Sequence, residues 1–288
     1  MAEPSALGPS VATPGGAAVS VGGRPDHSVS RIGRRRLGLA DPGAVRYVAG
    51  VGGVLVAGEA ITLTMGAAAG VFAHALVLVG LVGLSMRPGT TQRLTLAVAV
   101  LPLIRILSLA VPAAIVPIVY WYLEIGLAGT EGILLVMRRL NLSPYDVGLR
   151  RAPIAEVVSV GVIGALLGIP AYLIAGRLDL GHGGGIVGLA IASAVVIIFV
   201  GFFEELLFRG LIQSAGTTLF SRGGVLLSVG ATVLMYSASL NPRYIVFAAL
   251  VATFFGLVAR RSGSIAGPIA GHAALALMQL VVLPIIVP

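Results

Sequence analysis

Apolar runs of roughly twenty residues recur from Arg46 to Pro288, the length at which a helix crosses the hydrocarbon core of a bilayer. A membrane barrel strand would alternate apolar and polar positions, and these runs do not. They read instead as helices that satisfy their own backbone hydrogen bonds in lipid. Spans are predicted at 46–66, 68–86, 94–112, 116–137, 155–176, 185–212, 223–240, 243–260 and 266–287. The fold class is all-α, a polytopic transmembrane helical bundle of eight or nine spans. The third run, "LAVAVLPLIRILSLAVP", contains Pro102 and Arg105 and is predicted to be kinked or partly re-entrant. Residues 1–44, rich in Pro, Gly, Ser and Ala, read as a disordered, Arg-rich cytoplasmic arm. Residues 45–137 then form an N-terminal bundle, 138–154 a polar cytoplasmic loop containing "NLSPYDVGLRR", and 155–288 a C-terminal bundle. No repeat relates the two bundles, which counts against a small transporter built on internal symmetry.

Composition supports this picture. The chain is 57% hydrophobic and only 10% charged, well below the roughly 25% charge of soluble domains. Its net charge of +8 does not indicate nucleic-acid binding. All basic residues are arginines, placed in the arm and at span ends as the positive-inside rule expects. Arg34 to Arg36, Arg87/Arg93, Arg138/Arg139, Arg150/Arg151, Arg209/Arg222 and Arg260/Arg261 fall on one side, with Arg177 and Arg243 on the other. The N terminus is therefore expected in the cytoplasm and the protein in a cell membrane, as a multi-pass protein in contact with lipid. The lack of Lys beside abundant Ala, Gly and Val is a pattern of GC-rich bacterial genomes, which suggests a bacterial inner or plasma membrane. With no cysteine, thiolate nucleophiles and Cys-based metal sites are excluded.

Ionisable residues inside spans are costly and are functional candidates by default. They are Glu59, His74, Arg105, Glu124, Glu131, Glu204, Glu205, Arg209 and His272. Glu59 and Arg105 are expected to pair within the N-terminal bundle, and His74 to pack between helices. Tyr120, Trp121 and Tyr122 read as an interfacial aromatic belt. His27 and His182 carry no signal. The dense cluster is "GFFEELLFRG". Glu205 and Arg209 stand four residues apart with the acid on the N-terminal side, the favourable order for an intrahelical pair. Glu204 lies about 100° round the helix from Glu205. The arginine can therefore neutralise Glu205 and leave Glu204 to face a cavity as a general base. The plainer alternative is that both glutamates merely lock helices together.

"FFEELLFRGLIQ" resembles the E-E-x-x-x-R motif of the CPBP intramembrane endopeptidases, the family that includes the Ras-converting type of CAAX prenyl protease and the bacterial Abi proteins. "LSVGATVLMYSASLNP" stands where that family's F-x-x-x-H motif belongs. "RRSGSIAGPIAGHAALALMQ" is similar to its closing H-x-x-x-N segment. The resemblance implies that Glu204 activates a water, that Glu205 and Arg209 support it, and that His272 donates to an oxyanion or serves as a ligand. It also implies a membrane-associated peptide or protein substrate, reached from the cytoplasmic side. A divalent metal such as zinc, held by Glu204 and His272, stays open beside metal-free hydrolysis. The sequence departs from the pattern at Met235, Ser239 and Ala276, where the motifs have Phe, His and Asn. Those departures keep a second reading in play, a catalytically silent relative acting as membrane scaffold or regulator.

Overall fold

The computed structural model describes residues 41–111, 116–178, 180–181 and 185–287, and residues 40–288 form one compact unit. The predicted arm up to residue 40, with His27, and the loop residue His182 lie outside the described residues. Nine helices are present among the described residues: α1 Pro42–Met65, α2 Ala67–Ser85, α3 Gln92–Ala110, α4 Ile118–Arg139, α5 Ile154–Ala175, α6 Gly185–Phe220, α7 Gly223–Ser239, α8 Pro242–Ser262 and α9 Ala266–Ile286. Eight are long and apolar enough to cross a membrane, and α7 is shorter. The all-α, multi-pass architecture read from the apolar runs is the one observed.

Helix ends follow local chemistry. The Asp41 carboxylate accepts from the Gly43 amide (3.1 Å) ahead of Pro42 at the start of α1, and Asn241 accepts from Tyr244 N–H (3.2 Å) ahead of Pro242 at the start of α8. Both place a cap acceptor before a residue whose missing N–H costs nothing there. α8 ends at Gly263, whose φ of 70° lies in the left-handed region that glycine adopts without strain. In the loop between α4 and α5, Ser143 and Asp146 bond reciprocally around a short 3₁₀ turn, Pro144–Val147. Hydrogen bonds from Ser143 hold the Asp146 carboxyl below its usual range.

The third helix is continuous rather than re-entrant. α3 runs unbroken through Pro102 and is the most buried of the eight long helices. Arg105 is neutralised across the bundle by Glu59, whose carboxylate accepts from Nε (2.5 Å) and from an Nη (2.8 Å). Bidentate pairing lets a guanidinium lie in a helix core, and the pair formed is the one expected from the sequence. His74, 1% exposed, sits beside this pair at 3.5 Å from Glu59.

One core joins both halves of the sequence, with Leu101, Ile133, Leu207 and Ile265 in the same cluster. The bundle has two distinct ends. At one, Arg93 donates to the Asp146 carbonyl (3.1 Å), and Ser264 Oγ donates to the Arg150 carbonyl (2.7 Å). At the other, Asn241 Nδ2 donates to the Ile174 carbonyl (3.1 Å), and Val119 N–H to the Leu180 carbonyl (3.0 Å).

Candidate active site

The helix α6 that carries the "EELLFR" stretch is wound unusually. Two π-helical stretches, Val196–Phe202 and Leu206–Gln213, flank a single α turn at Phe203–Glu205. π-turns insert an extra residue and re-aim the side chains that follow, and they recur at functional sites. Small residues bring the neighbouring helix in. A Cβ added at Gly201 would lie 2.6 Å from the Ala273 methyl, and one at Gly164 only 1.9 Å from the Gly271 carbonyl oxygen. α9 is therefore clasped between α5 and α6 on either side of His272, an approach that only small side chains permit.

This packing brings the four predicted residues together. Arg209 donates from one Nη to Glu205 Oε1 (2.9 Å) and from the other to the Ala252 carbonyl of α8 (3.1 Å). It also lies 5.8 Å from the rings of Phe208 and Phe255. Glu205, with no exposed surface, receives His272 Nδ1 at 2.8 Å on that same oxygen. An ionised carboxylate only accepts, so Nδ1 carries the hydrogen and Nε2 is left turned toward Glu204. The separation from Nε2 to Glu204 Oε2 is 3.9 Å. Glu205 thus orients an imidazole as a buried carboxylate orients the histidine of a catalytic triad.

Glu204 is the less buried of the two acids, its side chain 18% exposed. It faces a lobe of about 180 Å³ that shares Arg105, Trp121, Tyr122 and Tyr236 with a larger cavity of about 490 Å³. His272, Ser239, Ala276 and Gln279 line the larger one. A third cavity of about 520 Å³, between α1 and α7, is nearly all apolar and contains neither Glu204 nor His272.

Several lining residues were not singled out for this role in the sequence. Tyr236 donates its hydroxyl to Glu204 Oε2 at 3.0 Å. Its ring lies 5.7 Å from that of Tyr244, whose hydroxyl is held by the Gln279 amide at 3.2 and 3.3 Å. Gln279 follows His272 by seven residues, two turns along the same face of α9, and a polar side chain there was the available signal. Trp121 and Tyr122, expected in an interfacial belt, line the cavity. Arg105 does as well. Glu124 and Glu131 are exposed on α4 and line none of these cavities.

The two departures take different places. Ala276 is buried in the cavity wall, whereas Ser239 is exposed at the rim, its hydroxyl accepting from Asn241 N–H at 3.3 Å. The hydroxyl that reaches Glu204 belongs to Tyr236, three residues earlier.

The donors present do not fit a catalytic zinc. Such an ion takes about three protein ligands, and Glu205 Oε1 is already occupied by Arg209 and His272. Glu205 Oε2 is buried without a hydrogen-bond partner, and Glu204 and one imidazole nitrogen are the other donors at hand. Among the described residues, no group of three or more His, Cys, Asp or Glu side chains is placed to hold a metal ion.

Compared with known families, residues 186–278 match that of the Rce1-like proteins, described as type II CAAX prenyl endopeptidase. No curated protein and no solved structure matches the chain.

Proposed function

From the match of residues 186–278 to the Rce1-like type II CAAX prenyl endopeptidase family, we propose that this multi-pass membrane protein hydrolyses a peptide bond of a membrane-associated substrate, with Glu204 as general base. The observation that carries this reading is the division of labour between the adjacent acids. Glu205 is consumed by Arg209 and His272, while Glu204 faces a cavity with a hydroxyl and an imidazole beside it.

In the proposed reaction Glu204 takes a proton from a water as its oxygen bonds to the substrate carbonyl carbon. Negative charge then grows on the carbonyl oxygen, where the Tyr236 hydroxyl can donate, as can His272 Nε2 once the imidazole carries a proton on both nitrogens. As the carbon–nitrogen bond breaks, the protonated Glu204 returns its proton to the leaving amine. Preorganised donors of this kind commonly contribute about 10²–10³ in rate each. The wall that lacks an asparagine at Ala276 offers Gln279 and Tyr244 in its place, one turn further along α9 and from the facing helix.

A second reading, a silent relative that binds a membrane partner in the same cavity, is favoured by Ser239 and Ala276. The test is mass-spectrometric mapping of products when the protein, in liposomes, meets a library of membrane-proximal peptides. Defined cleavage by the native chain supports the enzyme. No cleavage by the native chain, with cleavage gained in Ser239→His/Ala276→Asn, supports the silent relative instead.

A further inference from the structure

The way into this cavity has a side, and it is not the one the sequence suggested. The arginines of the described residues are unequally shared between the two ends of the bundle. Arg87, Arg93, Arg138/Arg139, Arg150/Arg151, Arg222 and Arg260/Arg261 stand in or beside the connections α2–α3, α4–α5, α6–α7 and α8–α9. The connections at the other end carry only Arg177 and Arg243. Excess arginine in short loops marks the cytoplasmic side.

The cavity is closed at the arginine-rich end. Beneath the cluster the loop between α4 and α5 acts as a plug. Val147 is fully buried, and its carbonyl oxygen lies 3.0 Å from where a Cβ on Gly210 would stand. Ile265 N–H donates to the Gly148 carbonyl (2.9 Å), and Ser264 Oγ to the Arg150 carbonyl. Gln213, one turn below Arg209, is buried and donates to the Gly256 carbonyl (2.9 Å). At the opposite end the described lining residues reach the surface. Gly176, Arg177, Ala238 and Ser239 line the larger cavity and are exposed. The rim is held together by Asn241, which joins the α7–α8 turn to the end of α5.

We propose that the cavity opens to the extracytoplasmic face, so that the substrate is a membrane-anchored polypeptide presenting its scissile bond near the extracytoplasmic end of its membrane segment. This rests on the reading of the cavity as the place of hydrolysis, and the test below reads sidedness without requiring cleavage.

The chain has no cysteine, so single-cysteine variants report one position each. Ala238→Cys and Ser239→Cys mark the rim, and Arg260→Cys marks the sealed end. Full-length variants are exposed to a membrane-impermeant maleimide in spheroplasts and in inverted membrane vesicles. The rim cysteines are expected to label in spheroplasts, and Arg260→Cys only in inverted vesicles. The reverse pattern overturns the proposal. Two rim positions are used so that poor accumulation of one variant leaves the other to decide. A rim labelled from outside in a protein that cleaves nothing removes the hydrolytic reading and keeps the sidedness. Cleavage by a protein whose rim labels only in inverted vesicles removes the sidedness alone.

Discussion

Glu205 and Glu204 are adjacent in sequence and opposite in energetic role. Glu205 has no exposed surface and its Oε1 receives two donors, so it serves as an anchor for α6, α8 and α9 through Arg209 and His272. Removing one member of a buried pair leaves an uncompensated charge and typically costs about 3–5 kcal/mol. Arg209→Gln is therefore expected to unfold far earlier than the native protein in a detergent thermal melt. Glu204→Gln, at a partly exposed position, should change stability by no more than about 1 kcal/mol. Equal destabilisation by both changes would contradict the division. The Glu205–Arg209 half of this arrangement was legible in the sequence, because four-residue spacing places two side chains on one helix face. Tyr236 was not. The resemblance directs attention to Met235 and Ser239 as motif positions, and the hydroxyl that meets Glu204 comes from Tyr236, next after Met235, selected by how α7 packs against α6. His272 was named from its motif, but its contact with Glu205 rather than a direct bond to Glu204 depends on helix packing across 67 residues.

At the scale of elements, the position of His272 depends on the closeness of α5 to α9. A Cβ on Gly164 would meet the Gly271 carbonyl at 1.9 Å, and backbone on both helices would have to move. On Gly161, one turn away, the nearest atom would be 3.9 Å distant, an ordinary contact. Overpacking of this kind costs about 1–3 kcal/mol. Gly164→Ala is expected to lower the melting temperature and the rate of peptide cleavage together, with Gly161→Ala close to native in both. Similar behaviour of the two variants would mean that the crossing does not hold His272 in place. The helices themselves were readable from apolar run length, since lipid leaves the backbone little else to do. The tie between Glu59 and Arg105 was legible, because opposite charges inside apolar spans need each other, whereas the continuity of α3 through Pro102 was not, because a proline disrupts a helix locally. That Trp121 and Tyr122 line the cavity was hidden for a related reason. Aromatics near a helix end have the same local pattern whether they face lipid headgroups or a cavity, and only the neighbouring helices decide.

For the molecule as a whole, the class was determined by composition, and the arginine distribution marked two unlike ends. Which end the cavity opens to could not be read from the chain, because it depends on a plug formed by Val147 and Gly148 meeting Gly210 and Ile265. The site is then a polar floor at the base of α6 and α9, reached through an exposed rim, with Glu204 as the acid turned to the cavity. General-base catalysis contributes about 10²–10⁴ in rate. The most direct measurement is kcat/KM for one cleaved peptide in liposomes, native protein against Glu204→Gln, with both shown to be folded by their melting curves. A fall of about 10²–10⁴ is expected on the same grounds. Equal rates in the two proteins would contradict the role assigned to Glu204 and, with it, the account of this site.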